Sequence, residues 1–285
     1  MNIHVVGPGQ TLLQISRQYG VDAGLLAGWN GLSPPYRLAV GQAILVLQPE
    51  EVYTVRPGDT LFSVARAFSL PPLLLLRRNP RLGGSAVLQP GQTLAISLQG
   101  QGRRPTELSG YAYPYVRRQV LRGILPYATY LVPFTYGIRE GGGLVALEDA
   151  ELLSLARQYG ADALMHLSTL TETGNFSTQR AAQVLASEAE QQALADAVTA
   201  AMESRGYRGL DVDFEFVGGE NAAAYAAFVG LLRGRVNALG YPLITALAPK
   251  VSPDQPGVLY EGHDYAAIAR NSDAVLLMTY EWGYT

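Results

Sequence analysis

Arg208-Gly209-Leu210-Asp211-Val212-Asp213-Phe214-Glu215-Phe216 has carboxylates at alternate positions, with apolar residues between them. Because successive side chains of a β-strand point to opposite faces, the pattern predicts that Asp211, Asp213 and Glu215 share one face. The opposite face would carry the apolar residues Leu210, Val212, Phe214 and Phe216. Three neighbouring carboxylates in a confined site cannot all ionise cheaply. Their face is therefore either open to water or built for proton transfer.

The sequence around this stretch favours the second interpretation. From Ser109 onward, apolar runs at 110–115, 130–138, 163–169, 209–217, 243–248 and 274–280 alternate with helical segments such as 148–159, 187–205 and 221–239. This alternation, without a glycine-rich phosphate loop, predicts an α/β fold of the β/α-barrel type. Strands of a parallel barrel are buried on both faces, so the carboxylates would point into the barrel. Glu215 would then lie near the carboxyl-terminal end of its strand, where barrel active sites are found.

Composition excludes several classes of function. A net charge of −3 over 285 residues gives no basic surface for nucleic acid. Without cysteine the chain has no disulfide and no thiolate metal site. His4, His166 and His263 are scattered and do not have the spacing of metal ligands. We therefore interpret the histidines as structural or surface residues and expect neither a metal nor a cofactor.

The amino terminus and the hydropathy pattern bear on location. Residues 1–7 contain no basic segment followed by a long apolar run, so we expect no secretory signal peptide. No apolar run approaches the roughly 20 residues that a membrane-spanning helix needs. The sequence therefore predicts a protein with no membrane span.

The first hundred residues contain a repeat. Residues 3–12 align with residues 52–61, and each copy predicts a strand, a Pro-Gly turn, two helices and a second strand. Thr11 and Thr60 occupy the expected N-cap position of the first helix in each copy. The segment 99–108 is polar and contains glycine and proline, which is typical of a linker.

These repeats resemble the LysM module, a small βααβ domain that binds peptidoglycan and chitin. The second copy matches through Tyr53-Thr54-Val55-Arg56-Pro57-Gly58-Asp59-Thr60-Leu61, Asn79-Pro80 and Leu88-Gln89-Pro90-Gly91-Gln92. The resemblance implies modules at 1–48 and 50–98. It also implies that N-acetylglucosamine glycans contact Gly58, Asp59, Thr60 and Asn79 in the second copy, and Gly9, Gln10, Thr11 and Asn30 in the first. In the alternative interpretation, these side chains serve only turns and helix caps.

The region 109–285 resembles glycoside hydrolase family 18. Gly209-Leu210-Asp211-Val212-Asp213-Phe214-Glu215 is similar to that family's Asp-x-x-Asp-x-Asp-x-Glu signature, and Met278-Thr279-Tyr280-Glu281-Trp282-Gly283 to its sixth-strand motif. Arg208 stands in place of the first Asp of the signature. Together with the LysM repeats, the chain resembles the class of bacterial spore cortex-fragment-lytic N-acetylglucosaminidases.

The resemblance implies substrate-assisted hydrolysis with retained configuration, in which the acetamido oxygen of the substrate is the nucleophile. Glu215 would be the general acid and base. Asp213 would orient the acetamido group, and Asp211 would share protons with Asp213. Tyr280 would donate a hydrogen bond to the acetamido carbonyl. Glu281 and Trp282 would contact the sugar.

The length of the region predicts an incomplete barrel. A full barrel takes roughly 250 residues, whereas the region after the linker holds about six of eight βα units. The predicted architecture is two LysM domains followed by a C-terminally truncated TIM barrel, whose open sheet edge would favour self-association. Two other functions stay open: a chitinase or chitooligosaccharidase, and an inactive peptidoglycan-binding spore protein. In each case we expect association with the spore coat, the cortex or the cell wall.

Overall fold

The computed structural model describes residues 1–100 and 106–280. The chain divides into two compact units, the first comprising Met1–Leu108 with Val116–Ala128 and the second Ser109–Tyr115 with Thr129–Thr285. The segment 116–128, which the sequence assigned to the barrel, thus belongs to the first unit. None of the helices in the described part of the chain is long and apolar enough to cross a bilayer.

The first repeat folds as the predicted βααβ module. It consists of β1 (Asn2–Val5), α1 (Leu12–Tyr19), α2 (Ala23–Trp29) and β2 (Ala43–Val46). The strands pair antiparallel, and Thr11 forms a capping box with Gln14 at the start of α1. Leu12 and Ile15, one helical turn apart, are buried in the core of the module. Alternating strand residues complete this core from the other side.

The second repeat has the same order of elements. It consists of β3 (Pro49–Thr54), α3 (Leu61–Ala67), α4 (Pro72–Arg78) and β4 (Thr93–Leu98), followed later in the same unit by α5 (Arg118–Ile124). Thr60 caps α3 together with Ser63, as Thr11 does in the first copy. The βααβ prediction is therefore confirmed for both repeats.

The second unit is an α/β structure of parallel strands and covering helices. Its strands are β5 (Ser109–Ala112), β6 (Tyr130–Pro133), β7 (Gly137–Ile138), β8 (Leu144–Val145), β9 (Asp162–Ala163), β10 (Met165–Ser168), β11 (Leu210–Asp213), β12 (Leu243–Leu247) and β13 (Ala274–Leu277). Its helices are α6 (Ala150–Tyr159), α7 (Thr178–Ala186), α8 (Glu188–Arg205), α9 (Ala222–Ala238), α10 (Val258–Glu261) and α11 (Tyr265–Arg270).

The order of the parallel strands is that of a β/α barrel. One sheet has the order β5-β6-β9 and the other β10-β11-β12-β13, and all neighbours are parallel. The two sheets meet in one run of chain, because β9 and β10 are separated only by Leu164, whose N–H bonds to Leu131 of β6. β7 and β8 form a separate antiparallel hairpin. Within residues 106–280 the strands do not close into a ring.

β11 lies between β10 and β12 and presents different chemistry on each face. Leu210, Val212 and Phe214 are fully buried on the helix side, where Phe214 stacks on Tyr225 of α9 with ring centroids 5.5 Å apart. The backbone just before the strand packs closely against Leu164, because a Cβ on Gly209 would lie 2.6 Å from the Leu164 side chain. A glycine at this place in the signature therefore has a packing reason.

Phe216 does not share the apolar face, so that part of the prediction was wrong. β11 ends at Asp213, and Phe216 has a left-handed backbone (φ 54°) and is 39% exposed. The chain has left the strand by this point, so the alternation of faces no longer applies. The predicted strand 209–217 was too long for the same reason.

A buried carboxylate joins three segments of the second unit away from β11. Asp149, which immediately precedes α6, is fully buried and accepts hydrogen bonds from the hydroxyls of Tyr136 and Tyr207, both at 2.5 Å. Arg205, at the end of α8, forms an ion pair with its other oxygen at 2.5 Å. Burial and the hydrogen bond to Asp149 raise the pKa of Tyr207, which keeps the phenol a donor.

We expect Asp149→Asn to lower the free energy of unfolding of the second unit by about 2–4 kcal/mol, because the three donors lose a charged acceptor inside the protein. Urea unfolding followed by tyrosine fluorescence measures the change. Asp162→Asn, at an exposed position of β9, is the matched control and should change stability by less than about 0.5 kcal/mol. Equal effects of the two substitutions would contradict the structural role of Asp149.

Candidate active site

The carboxylates of the opening stretch lie at the carboxyl-terminal end of β11. Asp211 and Asp213 point away from the helices and are 2% and 6% exposed. Glu215 follows two residues after the strand ends and is partly exposed. The predicted sharing of one face therefore holds for the two aspartates, whereas Glu215 stands on the loop beyond them. This arrangement places a solvent-accessible carboxyl group beside two buried ones.

Asp211 is held by a tyrosine from the first strand of the unit. The Tyr111 hydroxyl of β5 donates to Asp211 Oδ2 at 2.7 Å. Burial raises the pKa of Asp211 to about 6, while the nearby His166 and the Tyr111 hydrogen bond act in the opposite direction. Burial and the adjoining Asp211 raise the pKa of Tyr111, so its phenol stays protonated. Asp211 is thus a carboxyl group whose proton can be exchanged near neutral pH.

His166 of β10 lies opposite Asp211 in the strand register and faces both aspartates. Its Nε2 is 3.8 Å from Asp211 Oδ2 and 3.4 Å from Asp213 Oδ2. The imidazole is fully buried, and its Nδ1 contacts Thr135 Oγ1 at 2.6 Å. His166 is therefore not a surface residue but adjoins the acidic pair, and its structural role stays a prediction.

A second buried histidine positions the chain just before Glu215. Ala248 N–H donates to His263 Nδ1 at 3.0 Å, so Nε2 carries the proton and donates to the carbonyl oxygen of Phe214, also at 3.0 Å. Burial lowers the pKa of His263, which favours this neutral form. For His263 the structural interpretation is consistent with its contacts.

A series of aromatic contacts leads from His166 to exposed rings at the surface. The rings of Tyr113 and Tyr115, which follow β5, are stacked with centroids 5.0 Å apart, and both are exposed. Phe134 packs against Tyr113 and against the His166 ring. Exposed aromatic faces beside a carboxylate site are surfaces on which a sugar ring can stack.

The sixth-strand motif is only partly within the described residues. Tyr280 is 59% exposed and lies close enough to Tyr111 to help raise the pKa of that phenol. The predicted sugar contacts Glu281 and Trp282 lie outside the described residues. The role of Tyr280 as a donor to the acetamido group stays a prediction.

In the LysM repeats, the candidate turn residues make matching contacts. Asp59 Oδ2 accepts from the Tyr53 hydroxyl and from Arg56 N–H, both at 2.7 Å, and these hydrogen bonds lower the pKa of Asp59. Gln10 does the same in the first copy, since its Oε1 accepts from Gly7 N–H at 2.7 Å and contacts the His4 ring at 2.9 Å. Gln10 therefore stabilises the turn of the first copy as Asp59 stabilises that of the second.

The glycine, threonine and asparagine candidates mainly serve local structure. Gly9 and Gly58 have left-handed backbones, and Thr11 and Thr60 cap helices. Asn30 and Asn79 have the same role in the two repeats. In each, the side-chain amide forms hydrogen bonds with the end of a helix and with the closing strand. Direct contact of any of these side chains with a glycan stays a prediction.

We expect Asn79→Ala to open the second repeat rather than to remove a sugar contact alone. Asn79 is 3% exposed, donates to Leu75 O and Ala95 O at 2.9 Å and accepts from Ala95 N–H at 2.8 Å. Leaving these buried backbone groups unpaired costs about 2–3 kcal/mol. Hydrogen exchange at Ala95 should become roughly 30–150-fold faster. Unchanged exchange with lost glycan binding would instead indicate a direct contact.

Sequence reasoning missed two members of the acidic cluster. Tyr111 lies in the predicted strand 110–115, but the sequence alone does not bring it to Asp211, one hundred positions away. His166 lay in a predicted strand of the barrel. The usable signal was its position: it is the second residue of β10, and Asp211 is the second residue of β11.

Comparisons with known proteins agree with this architecture. The family model described as glycosyl hydrolases family 18 matches residues 156–284, and the LysM domain model matches residues 4–46 and 53–97. YdhD of Bacillus subtilis (strain 168), provisionally named a sporulation-specific glycosylase, is 33% identical over 99% of this chain. A cortical fragment-lytic enzyme of Bacillus anthracis is 32% identical over the whole chain. The chain spans 66% of the length of each of these two relatives.

Solved structures show the same similarity. The crystal structure of the Bacillus megaterium QM B1551 spore cortex-lytic enzyme SleL matches with a TM-score of 0.75 and 29% identity. The match covers 99% of this chain and 67% of that one. The fold of both units, with the LysM repeats ahead of the α/β unit, is therefore shared with SleL.

Proposed function

Because this chain belongs to the family 18 glycosyl hydrolases that carry LysM domains, we propose that it is a glycosidase acting on the peptidoglycan of the spore cortex. The observation that carries the proposal is the buried Asp211–Asp213 pair with Glu215 two residues beyond it. The names of the cortex-lytic relatives support the substrate class. The LysM repeats support a glycan of N-acetylglucosamine units as the bound polymer.

Hydrolysis would proceed with the substrate's own acetamido group as nucleophile. Asp213 accepts the acetamido N–H and turns the carbonyl oxygen towards the anomeric carbon, and Glu215 donates its proton to the departing glycosidic oxygen. The resulting oxazolinium ring is opened by water, from which Glu215 takes back a proton. Glu215 is deprotonated after the first step and regains its proton in the second, so the complete cycle restores the starting protonation and retains the configuration at the anomeric carbon.

The burial of Asp211 and Asp213 suits this scheme. Burial raises the pKa of Asp211 to about 6, so this carboxyl group holds a proton more readily than an exposed one, which limits the negative charge beside Glu215. Tyr111 fixes Asp211 through the hydrogen bond at 2.7 Å, so the proton-sharing partner of Asp213 has a defined position. Glu215 itself is open to solvent, which admits both the leaving sugar and the water.

The LysM repeats would hold the enzyme on the glycan while the α/β unit cuts it. We propose that contact is made through the turns at Gly58–Thr60 and Gly9–Thr11, where exposed backbone and the caps of the first helices lie together. Self-association through the edge strand β13 also stays a prediction. Val275 and Leu277 on that strand are 40% and 45% exposed in the described part of the chain.

The proposal is tested by incubating the chain with purified spore cortex, with chitin oligomers and with de-cross-linked cortex glycan. Release of new reducing ends, with mass spectrometry of the fragments, should show cleavage at N-acetylglucosamine and preference for the muramic-lactam-containing cortex. Faster turnover of chitin oligomers would favour a chitinase. Binding to all three without any cleavage would favour a peptidoglycan-binding protein and overturn the proposed hydrolase.

A further inference from the structure

The ring of His166 is the one imidazole of the second unit that faces carboxylates rather than backbone groups. Its Nε2 is 3.4 Å from Asp213 Oδ2 and 3.8 Å from Asp211 Oδ2, and all three side chains are at least nine-tenths buried. Within residues 106–280, His166 Nε2, Asp211 Oδ1 and Asp213 Oδ1 have no hydrogen-bond partner. The cluster therefore contains buried polar atoms to which no neighbouring group forms a hydrogen bond.

The other nitrogen of the ring has a defined proton. Thr135 Oγ1 is 3.0 Å from the carbonyl oxygen of Tyr136 and from Ser168 Oγ, and 3.4 Å from the carbonyl oxygen of His166, so its hydroxyl hydrogen has acceptors other than the imidazole. A lone pair of Thr135 Oγ1 then accepts from His166 Nδ1 at 2.6 Å. Nδ1 is thus a donor, and the state of Nε2 alone decides the charge of the ring.

An unprotonated Nε2 would direct its lone pair at two carboxylates. Tyr111 donates a hydrogen bond to Asp211 Oδ2, whereas Asp211 Oδ1 and Asp213 Oδ1 have no hydrogen-bond partner within residues 106–280. Buried acceptors facing one another without a proton between them are strongly disfavoured. At least one proton must therefore lie among Nε2, Asp211 and Asp213.

We propose that His166 is a positioning residue that holds this shared proton, so that Asp211 and Asp213 act with the imidazole as one three-group unit. The ring then pairs with whichever carboxylate is ionised. When Asp213 turns to the substrate amide, the imidazolium remains beside Asp211 and compensates its charge. The catalytic part of this inference rests on the proposed glycosidase function, whereas the shared proton does not.

The groups that face His166 come from three elements. β5 contributes Tyr111, whose ring also packs edge-on against the imidazole at 5.3 Å, and β11 contributes the two aspartates. The segment after β6 contributes Phe134 and Thr135, which are uncharged. Glu215, Tyr280, Tyr113, Tyr225 and His263 are further titratable side chains near this end of the sheet. Asp211 and Asp213 are therefore the carboxylates that set the charge of the ring.

Nuclear magnetic resonance of the chain labelled with ¹⁵N-histidine tests the shared proton without any substrate. The chain has three histidines, so single substitutions assign every ring. We expect His166 to give two protonated ring nitrogens near neutral pH, and Asp213→Asn to change the shift of Nε2 more than that of Nδ1. A ring with an unprotonated Nε2 across this pH range, unaffected by Asp213→Asn or Asp211→Asn, would overturn the proposal.

Kinetics test the catalytic part. His166→Asn should lower kcat by about 10–100-fold with a much smaller change in KM, because the shared proton is needed in the reaction and not for substrate binding. Since His166 lowers the pKa of Asp211, its removal leaves that carboxyl protonated to higher pH. The acid limb of the kcat/KM profile should therefore move to higher pH. Asp162→Asn, at an exposed position of β9, is the control and should leave the pH profile in place.

A second substitution keeps the test independent of folding. Thr135→Val removes the acceptor of Nδ1 but keeps the ring, and it should shift the acid limb in the same direction by a smaller amount. Hydrolysis with an unmoved pH profile in both His166→Asn and Thr135→Val would overturn the catalytic role. If no glycan is hydrolysed at all, the glycosidase proposal fails, and the ¹⁵N shifts still decide whether the proton is shared.

Discussion

Glu215→Gln should lower the release of reducing ends from cortex glycan by at least about a thousandfold while leaving glycan binding unchanged. The amide has the size of the carboxyl group, but it can neither give a proton to the glycosidic oxygen nor take one from water. Glu215 is partly exposed on the loop after β11, and the amide can still donate and accept hydrogen bonds there. The loss should therefore be chemical rather than structural.

Initial rates at saturating glycan, with pull-down on insoluble cortex, measure the two properties separately. Glu220→Gln is the matched control, because Glu220 is an exposed carboxylate five positions further along the same loop. It should retain wild-type rates within about twofold. Hydrolysis by Glu215→Gln at a rate comparable to that of Glu220→Gln would remove Glu215 from the proposed role of acid and base.

Asp213→Asn should lower kcat by about 10²–10³-fold, with a smaller effect on KM. The carboxylate is proposed to align the acetamido group and to stabilise the positive charge that develops on its nitrogen. An amide can accept a hydrogen bond but carries no charge to stabilise the oxazolinium ring. The variant should keep the fold, since Asp213 Oδ1 has no hydrogen-bond partner within residues 106–280.

Steady-state kinetics on a soluble N-acetylglucosamine oligomer distinguish the two contributions. Asp196→Asn, a surface substitution on α8 with an exposed ion pair to Arg235, should be indistinguishable from wild type. A fall in binding with an unchanged kcat would mean that Asp213 contributes only to binding of the substrate in its ground state. That result would contradict its part in the reaction.

Much of the fold could be predicted because periodicity and repeats report local geometry. The alternation of Leu210, Asp211, Val212 and Asp213 identified the two faces of β11, and both faces are as predicted. The alternation failed at Phe216, where the backbone turns to positive φ, because alternation carries no information on where a strand ends. The LysM repeats were predicted in full order, since their caps and turns lie next to each other in sequence.

The sequence predicted only those members of the site that belong to β11 and the loop after it. Asp211, Asp213 and Glu215 lie within five positions, so a single strand and its following loop bring them together. Tyr111 and His166 reach them through the pairing of parallel strands far apart in sequence, and no local pattern encodes that register. The same limit applies to Asn79, whose importance becomes visible only when its amide is seen to join α4 to β4.

The acetamido group of the substrate provides the most direct test of substrate-assisted hydrolysis by this site. The chain is incubated with cortex glycan and, separately, with the same glycan after chemical de-N-acetylation. The two glycans are matched in length and concentration, and the formation of new reducing ends is followed with time. We predict cleavage of the acetylated glycan with retained anomeric configuration, and a rate at least about a hundredfold lower for the de-N-acetylated glycan. Equal rates on both glycans, or inversion at the anomeric carbon, would contradict the mechanism.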